Sequence, residues 1–307
     1  MNPGSSAIGV DLGGTFIKAA RITASGTIEA QTRRPTHPES GPEGIADSIA
    51  EMARELNDGS GLAGLGIGVP GVTTAEGVVV IAPNLDWHHI PFKQILQNRI
   101  DLPVAIDNDA NVAALAEARA GVGKGCNTLC FLTLGTGIGG AVVLNGQIHH
   151  GASHSAGEIG HMCVLPGGPQ CGCGNLGCLE ALTSGPAMVR LVQKGLEEGQ
   201  KSTVSSDLTP EAICNAAAGG DSLCTETVQQ VGGYLGIAIA NLINVLSPDV
   251  IAIGGGISAA GNTLMHPILE STREHTLEGL FEHTQIVLAT LGNDAGSLGA
   301  AFLVLSI

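Results

Sequence analysis

The hydrophobic pattern of this chain consists of short apolar runs that end in glycine or acidic residues, separated by segments with helical periodicity. Residues 7–23 predict two strands joined by a glycine turn, and residues 128–144 repeat this order of strand, Gly/Thr loop and strand. Further apolar runs at 65–69, 102–106 and 250–253 predict buried strands. The repeated hairpin indicates that the chain is built from two related halves.

Four segments have the apolar spacing or composition of helices, namely 43–57, 110–119, 227–246 and 294–305. The first carries an apolar stripe with charged residues between its members, which is typical of a helix packed on a core. A mostly polar segment lies ahead of the third helix and ends at Asp221. The pattern as a whole favours an α/β protein.

The turn of the first hairpin has the residues of a phosphate-binding loop. Gly13 and Gly14 allow backbone N–H groups to approach an anion, Thr15 offers a hydroxyl, and Lys18 supplies positive charge. Asp11, at the end of the first strand, is placed to hold Mg²⁺ directly or through water. The GxxxxGK[ST] pattern is absent and no helix is predicted to follow, so a plain hairpin turn is the alternative.

Two more glycine turns are candidates for nucleotide contact. Gly135, Thr136 and Gly137 form the loop of the second hairpin, and two such loops facing each other across a cleft would hold a polyphosphate from both sides. Gly255 and Gly256 belong to a triple glycine after the strand at 250–253, where a flat ring such as adenine could approach closely. A tight turn is the alternative there.

Three polar residues, Asp107, Asn108 and Asp109, lie between a predicted strand and a predicted helix. A helix cap needs one such side chain, which contributes about 1 kcal/mol. Three in a row exceed that need, so we expect one of them to be a catalytic base. Asn84 lies in a loop, where its amide either binds a substrate hydroxyl or holds the loop.

The stretch from 156 to 181 has the residues of a metal site. Cys171, Cys173 and Cys178 stand close together, and His161 precedes them, a ligand set that suits a closed tetrahedral zinc site. Cys163 is the fallback ligand. The short spacing requires turns at the glycines between the cysteines, and buried or disulfide-linked cysteines are the alternative interpretation.

Two carboxylates, Glu158 and Glu180, flank this predicted metal site. Carboxylates are harder ligands than thiolates and do not displace them from zinc. Glu158 and Glu180 are therefore available for another task.

Composition limits the classes of partner. The 307 residues are 44% hydrophobic, with a formal net charge of -15 and only 13 Lys and Arg residues, which argues against nucleic-acid binding and favours a small polar substrate. No apolar run approaches the length of a membrane span and no signal peptide is recognisable, so we expect a cytoplasmic protein. Eight cysteines in such a chain indicate reduced thiols and zinc.

Four ordered motifs resemble the ROK family of sugar kinases and repressors, which includes bacterial ATP-dependent glucokinases. The motifs are DLGGTFIK at 11–18, DNDAN at 107–111, LGTGIGGAVVLNGQIHHGASHSAGEIGH at 134–161 and CGCGNLGCLE at 171–180. The resemblance implies an actin-like, RNase H-like pair of α/β domains with ATP and sugar in the interdomain cleft. It implies a small domain at 1–120, joined by the C-terminal helix at about 294–307, and a larger domain at 121–293 that carries the zinc loop.

The resemblance also implies residue roles. Asp109 is the expected catalytic base, with Asp107 the competing candidate. The residues expected to bind the sugar are Asn84, Asn108, Asp109, Glu158, His161 and Glu180. The expected nucleotide and Mg²⁺ contacts are Asp11, Gly13, Gly14, Thr15, Lys18, Gly135, Thr136, Gly137, Gly255 and Gly256. The expected ligands of a structural Zn²⁺ are His161, Cys171, Cys173 and Cys178.

The expected activity is phosphorylation of a hexose by ATP with Mg²⁺, with glucose as the first candidate and the 6-phosphate as product. The motif DLGGT begins at residue 11, which leaves no room for a preceding helix-turn-helix domain and disfavours the repressor branch. The alternatives are an N-acetylmannosamine or N-acetylglucosamine kinase, and a sugar sensor without turnover. Polyphosphate is the alternative phosphoryl donor, and we expect a homo-oligomer, either a dimer or a tetramer.

Overall fold

The structure is a computed structural model that describes residues 6–59, 61–204 and 208–305. These residues form two compact units. Unit 1 takes in the described residues of Met1–Gly125, Val142–Ala156 and Leu291–Ile307, and unit 2 those of Cys126–Ala141 and Gly157–Thr290.

The strands and α-helices have the following bounds in the described residues. The strands are β1 (Ser6–Leu12), β2 (Phe16–Thr23), β3 (Ile28–Pro35), β4 (Leu62–Val69), β5 (Val72–Thr73), β6 (Val79–Ala82), β7 (Trp87–Ile90), β8 (Val104–Asn108), β9 (Thr128–Leu134), β10 (Ile138–Leu144), β11 (Gln147–Ile148), β12 (Val250–Gly254) and β13 (Gln285–Leu288). The helices are α1 (Gly41–Leu56), α2 (Phe92–Gln97), α3 (Asp109–Ala120), α4 (Leu179–Thr183), α5 (Gly185–Glu197), α6 (Pro210–Ala218), α7 (Ser222–Leu246), α8 (Asn262–His275) and α9 (Ala295–Val304).

The main sheet of unit 1 has the strand order β3-β2-β1-β4-β8. Strands β1, β2 and β3 are antiparallel neighbours, whereas β4 is parallel to both β1 and β8. A small three-stranded sheet of order β5-β6-β7 follows β4 along the chain. The three parallel strands of the main sheet therefore end at one common edge.

Both faces of the central strands in this sheet are buried. On one face, Ile8 and Val10 of β1 pack in a cluster with apolar residues of α1 such as Ile49. On the other face, Ala7 packs in a second cluster with Leu115 of α3 and Leu298 of α9. A strand covered on both faces is apolar at nearly every position, which explains the continuous apolar run at the start of the chain.

Helix α9 lies directly on the backbone of β1 and β4. A Cβ atom added to Gly9 or to Gly66 would collide with the carbonyl oxygen of Ser297 or Ala300, respectively. A Cβ on Gly299 would likewise collide with the carbonyl of Val112 in α3. Glycine is required at these positions because the helix approaches its neighbours more closely than a side chain permits.

The second sheet has the order β11-β10-β9-β12-β13, which repeats the pattern of the first sheet strand for strand. Strand β12 is parallel to both β9 and β13. The helices α4 to α8 belong to unit 2, where the long helix α7 packs against α8 with Gly232 close to Pro267 and Gly236 close to Ser271. The predicted relation between two halves is confirmed at the level of strand order.

The predicted hairpins, the strands at 65–69, 102–106 and 250–253 and the four predicted helices are all present, with shifts of a few residues at their ends. The sequence analysis assigned no elements to the small sheet β5-β6-β7, nor to the polar segment before Asp221, where the structure has α5 and α6. Each helix among the described residues is either too short or too polar to span a lipid bilayer.

Candidate functional site

Several of the predicted site residues of unit 1 lie at the carboxyl edge of its parallel strands. Asp11 lies near the end of β1, Gly71 follows β4, and Asn108 is the last residue of β8. Because β1, β4 and β8 are parallel, these three ends lie on the same side of the sheet. Ligands in open α/β sheets bind outside the carboxyl ends of the strands, so this edge is the candidate site of unit 1.

The loop between β1 and β2 is a tight turn beside this edge. The Gly13 N–H donates to the carbonyl of Phe16 at 3.0 Å, and the Thr36 hydroxyl donates to the Gly13 carbonyl at 2.6 Å. Neither bond uses the backbone N–H of Gly14 or Thr15. Gly14 lies against Asn84, whose Cβ would be 3.3 Å from a Cβ added to the glycine.

Asp11 and Lys18 face each other on β1 and β2 at this end of the hairpin. The Lys18 Nζ lies 4.0 Å from Asp11 Oδ2. Burial raises the pKa of the Asp11 carboxyl, and the positive charge of Lys18 lowers it in part. A partly buried carboxylate can bind a divalent ion directly or through its water shell.

Asn108 fixes the junction between β8 and α3. Its Oδ1 caps α3 by accepting from the backbone N–H groups of Ala110 at 2.8 Å and Asn111 at 3.2 Å. Its Nδ2 donates to the carbonyl of Gly71 at 2.9 Å, which ties this junction to the turn after β4. Asn108 is therefore the N-cap residue of α3. The helix does not need Asp107 or Asp109 as its cap, so both side chains are available for other roles.

Asp109 is the first residue of α3, and its side chain contacts solvent. Its Oδ1 accepts a hydrogen bond from the Ala110 N–H at 2.8 Å. Although the residue is exposed, the surrounding protein removes enough water to raise the pKa of the Asp109 carboxyl to about 6, helped by the negative charge of Asp11. A carboxylate with this pKa is ionised at neutral pH and still basic enough to accept a proton.

Asp107 differs from Asp109 in both exposure and bonding. The residue is only 3% exposed. Its Oδ1 accepts from the Asn108 N–H at 2.7 Å and from Asn111 Nδ2 at 2.8 Å, and its Oδ2 is 2.6 Å from His150 Nε2. Because its oxygens are already engaged, Asp107 is a poorer candidate than Asp109 for a base that meets substrate.

The four predicted metal ligands come together in unit 2. His161, Cys171, Cys173 and Cys178 each offer one ligand atom, and these atoms all lie within 4.8 Å of one another. The Cys171 Sγ is 3.7 Å from His161 Nδ1, and the Cys173 Sγ is 3.7 Å from Cys178 Sγ. Since a Zn–S bond is about 2.3 Å, two thiolates on one tetrahedral zinc lie about 3.8 Å apart, and this donor set fits zinc.

The loop geometry explains two of the three glycines between these cysteines. Gly174 has φ 93° and Gly177 has φ 73°, backbone conformations that favour glycine. Gly172 has no positive φ, so the predicted need for glycine does not apply there. Cys163 is exposed and is not a member of the four-residue group, although its Sγ would lie 3.5 Å from a Cβ on Gly177.

Both carboxylates that flank the cysteines lie beside the candidate ligands. Glu158 is exposed, and its Oε2 is 3.9 Å from His161 Nε2. Glu180 Oε2 accepts from the Ile138 N–H at 3.0 Å, and Glu180 Oε1 accepts from the Cys171 thiol at 3.6 Å. The cysteine loop and the second hairpin together therefore fix the Glu180 side chain.

A cavity of about 830 Å³ in unit 2 is lined by Gly135, Thr136 and Gly256 of the predicted nucleotide loops. Its walls also contain residues that the sequence analysis did not single out, among them Pro186, Val189, Cys214, Asn215 and Ile257. Most of these come from α5, α6 and the turn after β12. A volume of this size and an apolar wall with a few polar groups are typical of a site for a nucleoside-sized ligand.

The glycines of this cavity differ in what surrounds them. A Cβ added to Gly256 would meet no heavy atom within 4 Å. Gly255 has φ 85° and lies against the backbone of Leu134, so its role is local to the turn. A Cβ on Gly137 would lie 2.5 Å from Glu180 Oε2, which makes Gly137 a neighbour of that carboxylate.

Known proteins resemble the chain over almost its whole length. A model of the ROK family matches residues 7–307. A glucokinase of Halalkalibacterium halodurans is 40% identical over 310 residues, which cover 97% of this chain and 94% of that protein.

Two solved structures show the same fold. A ROK family glucokinase from Streptomyces griseus in complex with glucose and AMPPNP has a TM-score of 0.81 and 35% sequence identity to this chain. The match covers 97% of this chain and 99% of the glucokinase chain. A ROK hexokinase from Thermus thermophilus has a TM-score of 0.85 and 35% identity, with 96% of each chain covered. The α/β fold is thus the actin-like, two-domain fold of the ROK sugar kinases, and the chain belongs to the ROK family.

Proposed function

We propose that this protein catalyses the ATP-dependent phosphorylation of a hexose, with glucose as the preferred substrate and glucose 6-phosphate as the product. The observation that carries the proposal is the state of Asp109, an exposed carboxylate at the carboxyl edge of the sheet with a pKa of about 6. The similarity to glucokinases supports glucose, because related proteins with that name span nearly the whole chain.

In the proposed reaction, Asp109 accepts the proton of the attacking hydroxyl as the new O–P bond forms and the bond to ADP breaks. Phosphoryl transfer requires an oriented hydroxyl, a proton acceptor and compensation of phosphate charge, with little covalent participation by the protein. The pKa of Asp109 suits this task because a base works best when its pKa lies near the working pH. Asn108, fixed by its cap and by Gly71, sets the position of the neighbouring Asp109.

The nucleotide part of the proposal rests on both glycine hairpins and on the cavity of unit 2. The cavity accepts adenine and ribose between its apolar residues, which favours ATP over polyphosphate because a polyphosphate chain has no apolar group to place there. The first hairpin offers Gly14, Thr15 and Lys18 to the phosphates. Mg²⁺ bound with ATP neutralises phosphate charge, and Asp11 is the residue proposed to hold it.

We assign the cysteine cluster to a structural zinc ion. Three thiolates and one imidazole fill all four positions of a tetrahedral site and leave none for substrate. The loop then holds Glu158 and Glu180 in fixed positions for sugar hydroxyls, with His161 and Asn84 as further sugar contacts. A ligand that both binds zinc and faces the sugar couples the order of the loop to substrate binding.

An assay of ADP release tests the proposal with the untreated protein. The acceptors are glucose, N-acetylmannosamine and N-acetylglucosamine, and the donors are ATP and polyphosphate, with sugar 6-phosphate measured as a second product. We expect the highest kcat/KM with glucose and ATP. If only an N-acetylated sugar is turned over, that sugar and not glucose is the substrate. If sugar binds but no product forms, the protein is a sugar sensor.

A further inference from the structure

Unit 1 has a second cluster of metal-ligand side chains, made of Asp107, His150 and His154. Each of these residues offers one ligand atom, and the three atoms lie within 4.8 Å of one another. The proposed sugar and nucleotide contacts do not include any of the three. The cluster has no cysteine, so its chemistry differs from that of the zinc loop.

The Asp107 carboxylate is held in a fixed orientation with one oxygen toward His150. Two bonds, from the Asn108 N–H at 2.7 Å and from Asn111 Nδ2 at 2.8 Å, engage Oδ1. The other oxygen, Oδ2, lies 2.6 Å from His150 Nε2. A metal ion bound between Oδ2 and Nε2 would replace this single hydrogen bond and leave both bonds to Oδ1 intact.

His154 brings a second imidazole to the same place. Its ring is stacked on that of His150 with centroids 3.9 Å apart and an angle of 4° between the planes. The His154 backbone has φ 60°, a left-handed conformation that residues other than glycine adopt at a cost in free energy. Strained residues of this kind are concentrated at ligand sites. In the described part of the chain, no hydrogen bond holds the His154 ring in the stack, so the ring can tilt.

We propose that Asp107, His150 and His154 bind a divalent transition metal ion of the Zn²⁺, Co²⁺ or Ni²⁺ class. One carboxylate oxygen and two imidazole nitrogens are ligands that these ions accept, whereas Mg²⁺ and Ca²⁺ prefer oxygen alone. Ligand atoms on a tetrahedral zinc lie about 3.4 Å apart, so the 2.6 Å between Asp107 Oδ2 and His150 Nε2 lengthens when the metal binds, and a tilt of the stacked His154 ring turns its nitrogen toward the same ion. The proton on His150 Nε2 leaves to solvent, and water fills the remaining position.

The site does not depend on the proposed kinase activity, because metal binding is measured without sugar or nucleotide. Untagged protein, not treated with chelators, is dialysed to equilibrium against Ni²⁺ and analysed for both nickel and zinc. We expect one Ni²⁺ per chain in addition to the zinc that we assign to the cysteine cluster. In His154→Gln the affinity for Ni²⁺ should fall by at least about tenfold, since even changes outside the first ligand shell cost that much.

The matched control is His149→Gln, which changes an exposed histidine of the same loop that is not in the cluster. It should bind Ni²⁺ as the wild type does. An unchanged zinc content in His154→Gln verifies that this variant is folded. Equal Ni²⁺ binding by the wild type and His154→Gln, or loss of binding only in His149→Gln, would overturn the proposal. A second readout is the nitrogen hyperfine pattern of bound Cu²⁺, which should lose one nitrogen in His154→Gln.

Discussion

The protonation state of the Asp109 carboxyl sets the expected pH dependence of turnover. Because its pKa is raised from 3.8 to about 6, this carboxyl, the proposed base, is protonated in acid and ionised above that value. We expect kcat/KM to fall tenfold per pH unit below about 6 and to be level above it. A rate profile from pH 5 to 8, with the coupling enzymes in excess, measures this limb.

The raised pKa of Asp109 affects stability in the opposite direction to activity: as the pH rises, activity increases but the contribution of this group to folding decreases. Between 3.8 and about 6 the folded protein holds the Asp109 proton more tightly than the unfolded chain, so this group makes folding less favourable as the pH rises through that window. The acid loss of activity therefore should not coincide with a loss of fold due to Asp109. A profile with no acid limb near 6 in a protein that remains folded would contradict the assignment.

Gly256 provides the clearest single-residue test of the nucleotide cavity. Gly256 lines the cavity, and a side chain added at this position would point into open space. Gly256→Val therefore adds atoms where the nucleotide is proposed to bind, without a collision inside the protein. We expect KM for ATP to rise with little change in KM for the sugar. Steady-state kinetics at saturating sugar measure the change.

The control for this variant is Gly233→Val, on α7, where an added Cβ also meets no heavy atom within 4 Å but lies outside the cavity. It should keep the wild-type KM for ATP. Gly137→Val is a poorer probe because its Cβ would displace Glu180 and disturb a proposed sugar contact as well. An unchanged KM in Gly256→Val would remove this cavity from the proposal.

Among single residues, sequence reasoning found those whose type carries chemistry. Residue types and spacing predicted a metal site at the cysteines and a base among residues 107–109, whereas the choice of Asp109 and the role of Glu180 came from the resemblance to the ROK family and stay predictions. Sequence reasoning did not find Val189, Asn215 or Ile257, which line the cavity in unit 2. Their types are ordinary for packed helices, and only the fold brings them together around an open space.

At the scale of elements, helix α9 is the most tightly constrained part of unit 1. A Cβ on Gly66 would collide with the Ala300 carbonyl, and neither backbone can give way without disturbing the sheet or the helix. We expect Gly66→Ala to lower the free energy of unfolding by about 1–3 kcal/mol or more, as overpacking does. Urea denaturation followed by circular dichroism gives the change.

Gly233→Ala is the matched control for this substitution. Its Cβ has no neighbour within 4 Å, and alanine in a helix interior is favoured over glycine by about 0.5–1 kcal/mol. The control should therefore be neutral or stabilising. If Gly66→Ala is as stable as the wild type, α9 does not pack against the backbone of β4 as closely as the contact between Gly66 and Ala300 indicates.

The cysteine loop is an element whose order should depend on metal. We expect about one zinc per chain in the wild type and its loss in Cys173→Ser, accompanied by weaker sugar binding through displaced Glu158 and Glu180. Elemental analysis with a sugar titration measures both effects. Cys163→Ser, which changes a nearby thiol outside the group, should retain zinc. A zinc-free wild type with full activity would refute the site.

The elements marked by long apolar runs were predictable, whereas two helices in the segment before Asp221 and three short strands were missed. The hairpin of β1 and β2 and the helix α7 follow from their apolar runs. Helices α5 and α6 have buried apolar faces, with Met188 and Val192 in α5 and Ile213 and Cys214 in α6, but the polar residues between these positions led the whole segment to be interpreted as polar. The short strands β5 to β7 have too few residues for a period of two to be recognised.

At the scale of the whole molecule, the two sheets share one strand order, which the repeated hairpins in the sequence had indicated. Unit 1 includes the segment Val142–Ala156, which lies far along the chain from the rest of the unit. No local pattern marks this membership, because it arises from tertiary packing. The second cluster of Asp107, His150 and His154 was equally hidden, since 43 residues separate Asp107 from His150.

The central claim is that Asp109 is the base of a hexose kinase, and the Asp109→Asn variant tests it most directly. The measurement pairs kcat for glucose and ATP with the dissociation constant for glucose, alongside Asp101→Asn as a control for loss of an exposed carboxylate. A general base contributes about 10²–10⁴-fold, so we expect kcat to fall by that factor while glucose binds within a few-fold of the wild-type affinity. Asp101→Asn should keep full activity. If Asp109→Asn retains kcat within about tenfold of the wild type, below the contribution expected of a general base, the account is contradicted.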